Sequence, residues 1–129
     1  MSRSPSLAAG LIAAAGILVA AQPAAEAGPA GSHAVCFRLS DIQNTRMQGD
    51  RTLFMRSSTG AYYRMDFAAD CNNAGSEPLI LHPVDDSGEV CGAIGVDVRV
   101  RGTGEACLPT QITRLTPDEV AAIPPADKP

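Results

Sequence analysis

The chain has 129 residues, 10 basic and 14 acidic side chains, a net charge of −4 and only 4% aromatic residues. That length suits a leader and one small domain, not two. An acidic chain with scattered arginines gains nothing from counterion release on DNA or RNA, so nucleic-acid binding is disfavoured.

At the N-terminus, Arg3 lies in a short polar head, and residues 7–21 are an apolar run of Ala, Leu, Ile, Val and Gly. Ala25-Glu26-Ala27 has the A-x-A form that signal peptidases require beside the cut, so residues 1–27 are expected to be a signal peptide. The fifteen-residue run is short of the roughly 20 residues that cross a bilayer. Cleavage removes Arg3 and Glu26, one charge of each sign, and leaves the balance at −4. No second apolar stretch is long enough to span a membrane. Cys36 follows His33-Ala34-Val35 and not a lipobox, which argues against a lipid anchor.

Export would place Cys36, Cys71, Cys91 and Cys107 in an oxidising compartment, where an even count is read first as two disulfides. Three pairings are possible. The nested one, Cys36–Cys107 around Cys71–Cys91, contributes roughly 4.4 and 3.3 kcal/mol by the chain-entropy model, and the sequential one roughly 3.8 and 3.1 kcal/mol. That difference does not decide. The nested pattern is preferred because it suits a sheet whose first and last strands lie side by side. The cysteine spacings of 35, 20 and 16 residues contain no C-x-x-C pair, so a structural zinc site is disfavoured.

After a flexible lead-in over residues 28–35, the apolar period is two. A first short strand covers residues 36–40, and Gln48-Gly49-Asp50 marks a turn. A strand over residues 52–56 and a second over 61–67 flank Ser57-Ser58-Thr59-Gly60, the pattern of a β-hairpin. In the second strand Ala61, Tyr63, Met65 and Phe67 share one face, and Tyr62, Arg64 and Asp66 the other. Residues 71–76 read as a loop. Leu79-Ile80-Leu81 is continuously apolar, as expected of a strand buried on both faces. Asp85-Asp86-Ser87-Gly88 is a turn before Val90. Ile94, Val96, Val98 and Val100 alternate with Gly95, Asp97, Arg99 and Arg101 in the clearest half-buried strand. Gly102-Thr103-Gly104 ends it, and a last strand covers residues 111–115. Thr116-Pro117-Asp118-Glu119 is a capping box with proline at the first helical position. It predicts a short helix through Ile123, with Val120 and Ile123 facing the core, stopped by Pro124-Pro125. Residues 124–129 read as a disordered tail.

Together Cys36-Phe37-Arg38 with Ile42, Asp50-Arg51-Thr52-Leu53, Tyr63-Arg64-Met65 leading to Cys71, Val90-Cys91, Asp97-Val98-Arg99-Val100, Cys107-Leu108-Pro109 and Leu115-Thr116-Pro117-Asp118-Glu119 resemble a family of small exported four-cysteine bacterial proteins, a domain of unknown function. The resemblance covers most of residues 36–123 and implies fold and export without naming an activity. Some members look lipid-anchored; this chain lacks the lipobox, so that feature does not carry over.

Chemistry-bearing residues are sparse. Of the two histidines, His33 lies in the lead-in, and His82 stands near Asp85 and Asp86 without a nucleophile motif. Asp85, Asp86 and Glu89 share a loop but lack the alternation of a calcium site and read as a solvated turn. Arg64 and Asp66 on one strand, with Asp97, Arg99 and Arg101 on another, would form a charged ladder if the strands were neighbours. Its guanidinium forks could grip a carboxylate or phosphate; otherwise it is a salt-bridged solvent face. Tyr62 is the one candidate platform for a sugar, and Tyr63 is expected in the core.

The resulting expectation is a mainly β domain over residues 36–123, a small disulfide-bonded antiparallel sheet or partly open barrel with one short C-terminal helix. Its expected role is a non-catalytic exported interaction module, periplasmic or secreted. It would act as a monomer with no cofactor, no metal and no catalytic residue. Its candidate ligand-binding residues are Arg64, Asp97, Arg99 and Arg101, with the Asp85–Glu89 turn as a second contact site. The partner would be an envelope protein or an anionic ligand. The alternatives are a small hydrolase or metal-dependent enzyme using His82 with Asp85 or Asp86, and an inhibitor of a secreted enzyme.

Overall fold

The structure is a computed structural model that describes residues 35–71 and 77–129. The expected signal peptide, most of the lead-in and residues 72–76 of the loop expected over 71–76 lie outside the described residues.

Among the described residues nine strands form three antiparallel sheets, and one helix follows them. In chain order they are β1 (Cys36–Arg38), β2 (Ile42–Gln48), β3 (Thr52–Ser57), β4 (Tyr62–Phe67), β5 (Leu79–Pro83), β6 (Glu89–Cys91), β7 (Val96–Val100), β8 (Ala106–Cys107), β9 (Pro109–Arg114) and α1 (Pro117–Ala122). The sheets run β1-β6, β2-β3-β4-β9 and β5-β7-β8 and do not close into a barrel. A 3-10 turn, Leu39–Asp41, carries the chain from β1 into β2, and Leu108 carries it from β8 into β9.

The hairpin of β3 and β4 forms as its alternation predicts, in the register Leu53↔Met65 and Met55↔Tyr63. Its turn is organised by Ser57, whose backbone N–H donates to Ala61 O (2.9 Å) and whose hydroxyl accepts from Ala61 N (3.1 Å). Gly60 closes it at φ +83°, a conformation that favours glycine. Met55, Tyr63, Met65, Phe67 and Ile112 from the four-stranded sheet meet Phe37 and Val90 from the two-stranded sheet. Val96, Val98, Val100 and Cys107 from the three-stranded sheet complete this single core. Tyr63 stacks on Phe37 with ring centroids 4.8 Å apart, so it is a core residue, as expected.

β3 is buried on both faces. Leu53 and Met55 point into the core, while Phe54 faces outward into a hollow of about 270 Å³ shared with Arg64, Leu115, Ile123 and Pro124. The C-terminal segment covers this outer face. Its helix begins with the predicted capping box: Thr116 N donates to Glu119 Oε2 (2.7 Å) and Glu119 N to Thr116 Oγ1 (3.3 Å). Ile123 is buried, and Val120 only half so. Residues 124–129, expected to be a disordered tail, are instead tied back where Gln48 Nε2 donates to Asp127 Oδ2 (2.9 Å).

Four further expectations are corrected. The first concerns the disulfides: Cys36 is bonded to Cys91 and Cys71 to Cys107, not nested. β1 pairs with β6 rather than with the last strand, which sets Cys36 directly opposite Cys91. Likewise β9 lies beside β4, and Ala68 N donates to Leu108 O (2.9 Å), which brings the stretch after β4 to Cys107. The entropy of the two loops, about 4.2 and 3.8 kcal/mol, is within 1 kcal/mol of the nested total, so strand pairing decides and loop length does not. Second, β2 is a strand that the sequence reading left out. Third, Leu79, Ile80 and Leu81 are only half-buried, because β5 is an edge strand paired with β7 alone. Finally, Ile94 is not in the half-buried strand, which begins at Val96.

Truncating the core should cost far more than removing the cap. Met65→Ala is expected to lose about 2–5 kcal/mol and Thr116→Ala about 1 kcal/mol. Urea unfolding of the two variants with both disulfides intact measures this ranking.

Candidate interaction surface

The residues expected to build a charged ladder do not share a sheet. Arg64 and Asp66 lie on β4 in the four-stranded sheet, Asp97 and Arg99 on β7 in the three-stranded sheet, and Arg101 just beyond it. The ladder is therefore corrected to two separate, local pairs. Arg64 meets Asp66 (Nη2–Oδ1 2.8 Å) and Arg99 meets Asp97 (Nε–Oδ2 2.8 Å), each joining residues two apart on one strand face. Thr52 Oγ1 adds a hydrogen bond to Asp66 (3.0 Å), and Arg99 Nη1 donates to Gly104 O (3.3 Å). Such exposed pairs each contribute about 0–1 kcal/mol. Among the described residues no ion pair reaches Arg101. Arg64 instead shares the outer face of its sheet with two arginines the sequence reading did not select. Cross-strand register places Arg46 beside Phe54 and Phe54 beside Arg64, with Arg56 beside Tyr62.

His82 is exposed on β5, and its cross-strand neighbour is Asp97, already committed to Arg99. Asp85 is occupied elsewhere. Its carboxylate accepts from the Ser87 backbone N–H (3.0 Å) and the Ser87 hydroxyl, and Ser87 Oγ accepts in turn from Glu89 N (3.0 Å). These bonds, the hydroxyl's first, hold Asp85 below the ordinary carboxylate value. The acidic segment thus spends its first carboxylate on closing its own turn, and no hydrogen bond or ion pair joins it to His82 among the described residues.

The unexpected feature follows β6. Gly92 takes φ +69°, ψ −178°, a region practically reserved for glycine, and opens a 3-10 turn, Ala93–Gly95. Three backbone hydrogen bonds brace this turn: Gly92 N to Val35 O (3.0 Å), Gly95 N to Gly92 O (3.2 Å) and Val84 N to Gly95 O (3.0 Å). Cys91, disulfide-bonded to Cys36, anchors its start. On this frame Ile94 is 92% exposed, and Val84, held beside the turn, is 66% exposed. Leu108, at the bend between two sheets, is 71% exposed. The sequence reading missed Ile94 because its alternation with Val96 mimics a strand; Gly92 and Gly95 on either side were the available signal.

Clefts of about 510, 450 and 270 Å³ lie among the described residues, and His82 lines none of these three. The first is lined by Arg46, Asp50 and Glu77 among others, and the second holds Tyr62 and Val120. A sugar stacked on half-buried Tyr62 would have to enter that second cleft. Among the described residues the one group with metal-ligand character is Cys36, Glu89 and Cys91, whose ligand atoms lie within 4.8 Å of one another. Its two sulfurs are bonded to each other, which removes the thiolates a soft metal would need. No helix among the described residues is long and apolar enough to cross a membrane.

The chain matches no protein-family model, and comparison with curated proteins and with solved structures finds no match.

Because Asp85 is held below its ordinary value in the folded turn, the support its carboxylate gives is present above the unfolded value and is lost as pH falls through the lowered folded one. Ser87→Ala should raise the Asp85 midpoint towards that of a free side chain. An NMR titration of the two proteins checks this, and an unmoved midpoint would mean that the hydroxyl does not set it.

Proposed function

We propose that the protein is a non-catalytic exported interaction module. On this reading it works as a monomer in the periplasm or outside the cell after cleavage near Ala27. Two disulfides suit an oxidising compartment. The observation that carries the reading is Ile94, an aliphatic side chain held 92% exposed on a turn fixed by a disulfide, a glycine-only conformation and three hydrogen bonds. A pre-set backbone lowers the ordering cost of binding, and a rigid apolar side chain is what a partner's pocket receives. Val84 extends the apolar contact, and Asp85, Asp86 and Glu89 supply an acidic border. The partner that fits is an exported protein with an aliphatic pocket rimmed by Lys or Arg. This places contact at the Asp85–Glu89 end of the molecule and gives Arg64, Asp97, Arg99 and Arg101 a solvent-facing role.

An inhibitor of a secreted enzyme is a narrower form of the same reading. The 3-10 backbone at Ile94 disfavours substrate mimicry, which needs an extended segment. The alternative of an enzyme using His82 with Asp85 or Asp86 finds little support, since Asp85 is turned to Ser87.

A photo-crosslinking residue at position 94 should trap a discrete partner in envelope extract. Excess unlabelled protein should compete with it, and the Ile94→Asp protein should not. The same probe at Gln111, on β9, should trap nothing. Once the partner is isolated, Ile94→Ala should weaken binding by about 2 kcal/mol. Equal trapping at both positions would sink the proposal.

A further inference from the structure

The two disulfides differ in one respect that governs their chemistry. Cys71 and Cys107 are buried in the core, 2% and 5% exposed, whereas Cys36 and Cys91 are both exposed at the surface of the two-stranded sheet. Thiol–disulfide exchange requires a thiolate to reach a sulfur, so access selects which bond reacts. We propose that Cys36–Cys91 is a thiol-exchange site, opened by an external thiol while Cys71–Cys107 stays closed.

In the reaction an incoming thiolate attacks Sγ of one cysteine, the Cys36–Cys91 bond breaks, and the other cysteine leaves as a thiolate that takes a proton from water. A second thiol resolves the mixed disulfide. Two electrons and two protons pass to the protein, and the external thiols become a disulfide. A dithiol protein or a small thiol can supply both steps.

Glu89 sets the electrostatics of the site. Its carboxylate and the two sulfurs lie within 4.8 Å of one another, and it is exposed with them. Attacking and departing sulfurs both carry negative charge, so Glu89 opposes both and holds the rate down. The same charge favours a cationic thiol over an anionic one at equal thiolate concentration.

The consequence rests on the reading of Ile94 as the docking side chain. Cys91 immediately precedes Gly92, and β1 meets β6 over only three residue pairs, Cys36↔Cys91, Phe37↔Val90 and Arg38↔Glu89. Opening the bond removes the covalent anchor of the turn that presents Ile94, so reduction lowers the protein's affinity for its partner.

The test exposes the oxidised protein, without denaturant, to limiting amounts of a dithiol, followed by alkylation and peptide mass spectrometry. Cys36 and Cys91 should be labelled at least about tenfold faster than Cys71 and Cys107. Glu89→Gln should accelerate that labelling by about three- to fivefold, an effect that a merely structural carboxylate would not produce. Cysteamine should outpace 3-mercaptopropionate, and an exported dithiol oxidoreductase tested alongside distinguishes a protein source of thiol from a small-molecule one. Labelling of both bonds together, or of Cys71–Cys107 first, overturns the proposal. Selective opening in a protein whose position 94 traps no partner even when oxidised leaves the exchange site standing and removes the docking reading instead.

Discussion

Three sheets share one core, and the smallest has only three residue pairs, too few to persist alone in water. What keeps it in place is the insertion of Phe37 and Val90 into the common core, together with the covalent link at its end. The second bond, Cys71–Cys107, joins the stretch after β4, a strand of the four-stranded sheet, to β8 in the three-stranded one. The first cross-link therefore holds the end of a short ladder, and the second joins two sheets. The interleaved pairing is a consequence of strand order, since sulfurs can join only where the ladders have already brought the backbones together.

That dependence explains what the sequence made legible. Alternation is a record of a half-buried face, so the inward residues of β4 and β7, which have one face on the core and one in water, are legible, although the same alternation draws in Ile94, which precedes β7 on the 3-10 turn. The capping box and the turns at Gly49, Gly60 and Gly88 were equally readable because their chemistry is local. β2 carries Gln43, Asn44, Thr45 and Arg46 in succession, all exposed, so no apolar period marked it. It is an edge strand, and a polar edge discourages pairing with other chains. Leu79–Leu81 misled in the opposite direction: an apolar run belongs to a central strand only when neighbours cover it on both sides. The disulfide pairing was beyond reach, because the three alternatives differ by little in chain entropy and are separated only by long-range ladder order.

The charged residues follow the same division. Arg64–Asp66 and Asp97–Arg99 are each two residues apart, so their pairing needs nothing beyond a strand and holds whichever sheet contains it. Whether the two pairs combine into one surface depends on topology, and topology puts them in different sheets. Local neutralisation leaves little unpaired charge at these positions, which shifts attention to the end of the molecule where Asp85, Asp86 and Glu89 border apolar side chains.

Single exposed aliphatic residues are ordinary on protein surfaces, so the exposure of Ile94 alone would signify nothing. Its support is what sets it apart. Burying an isoleucine contributes about 1.5–3 kcal/mol, and the fold instead holds this one outward with a backbone conformation at Gly92 that other residues adopt only at a cost. Leu108 offers the contrast: its exposure comes with a bend that the chain needs in order to pass from one sheet to the next. Gly92–Gly95 also makes a crossing, from β6 in the two-stranded sheet to β7 in the three-stranded one, and what separates it from Leu108 is the disulfide, the positive-φ glycine and the three hydrogen bonds that hold it. A rigid frame that leaves an apolar side chain in water, beside a disulfide at the surface, forgoes hydrophobic burial, and that is the observation from which the docking proposal is drawn.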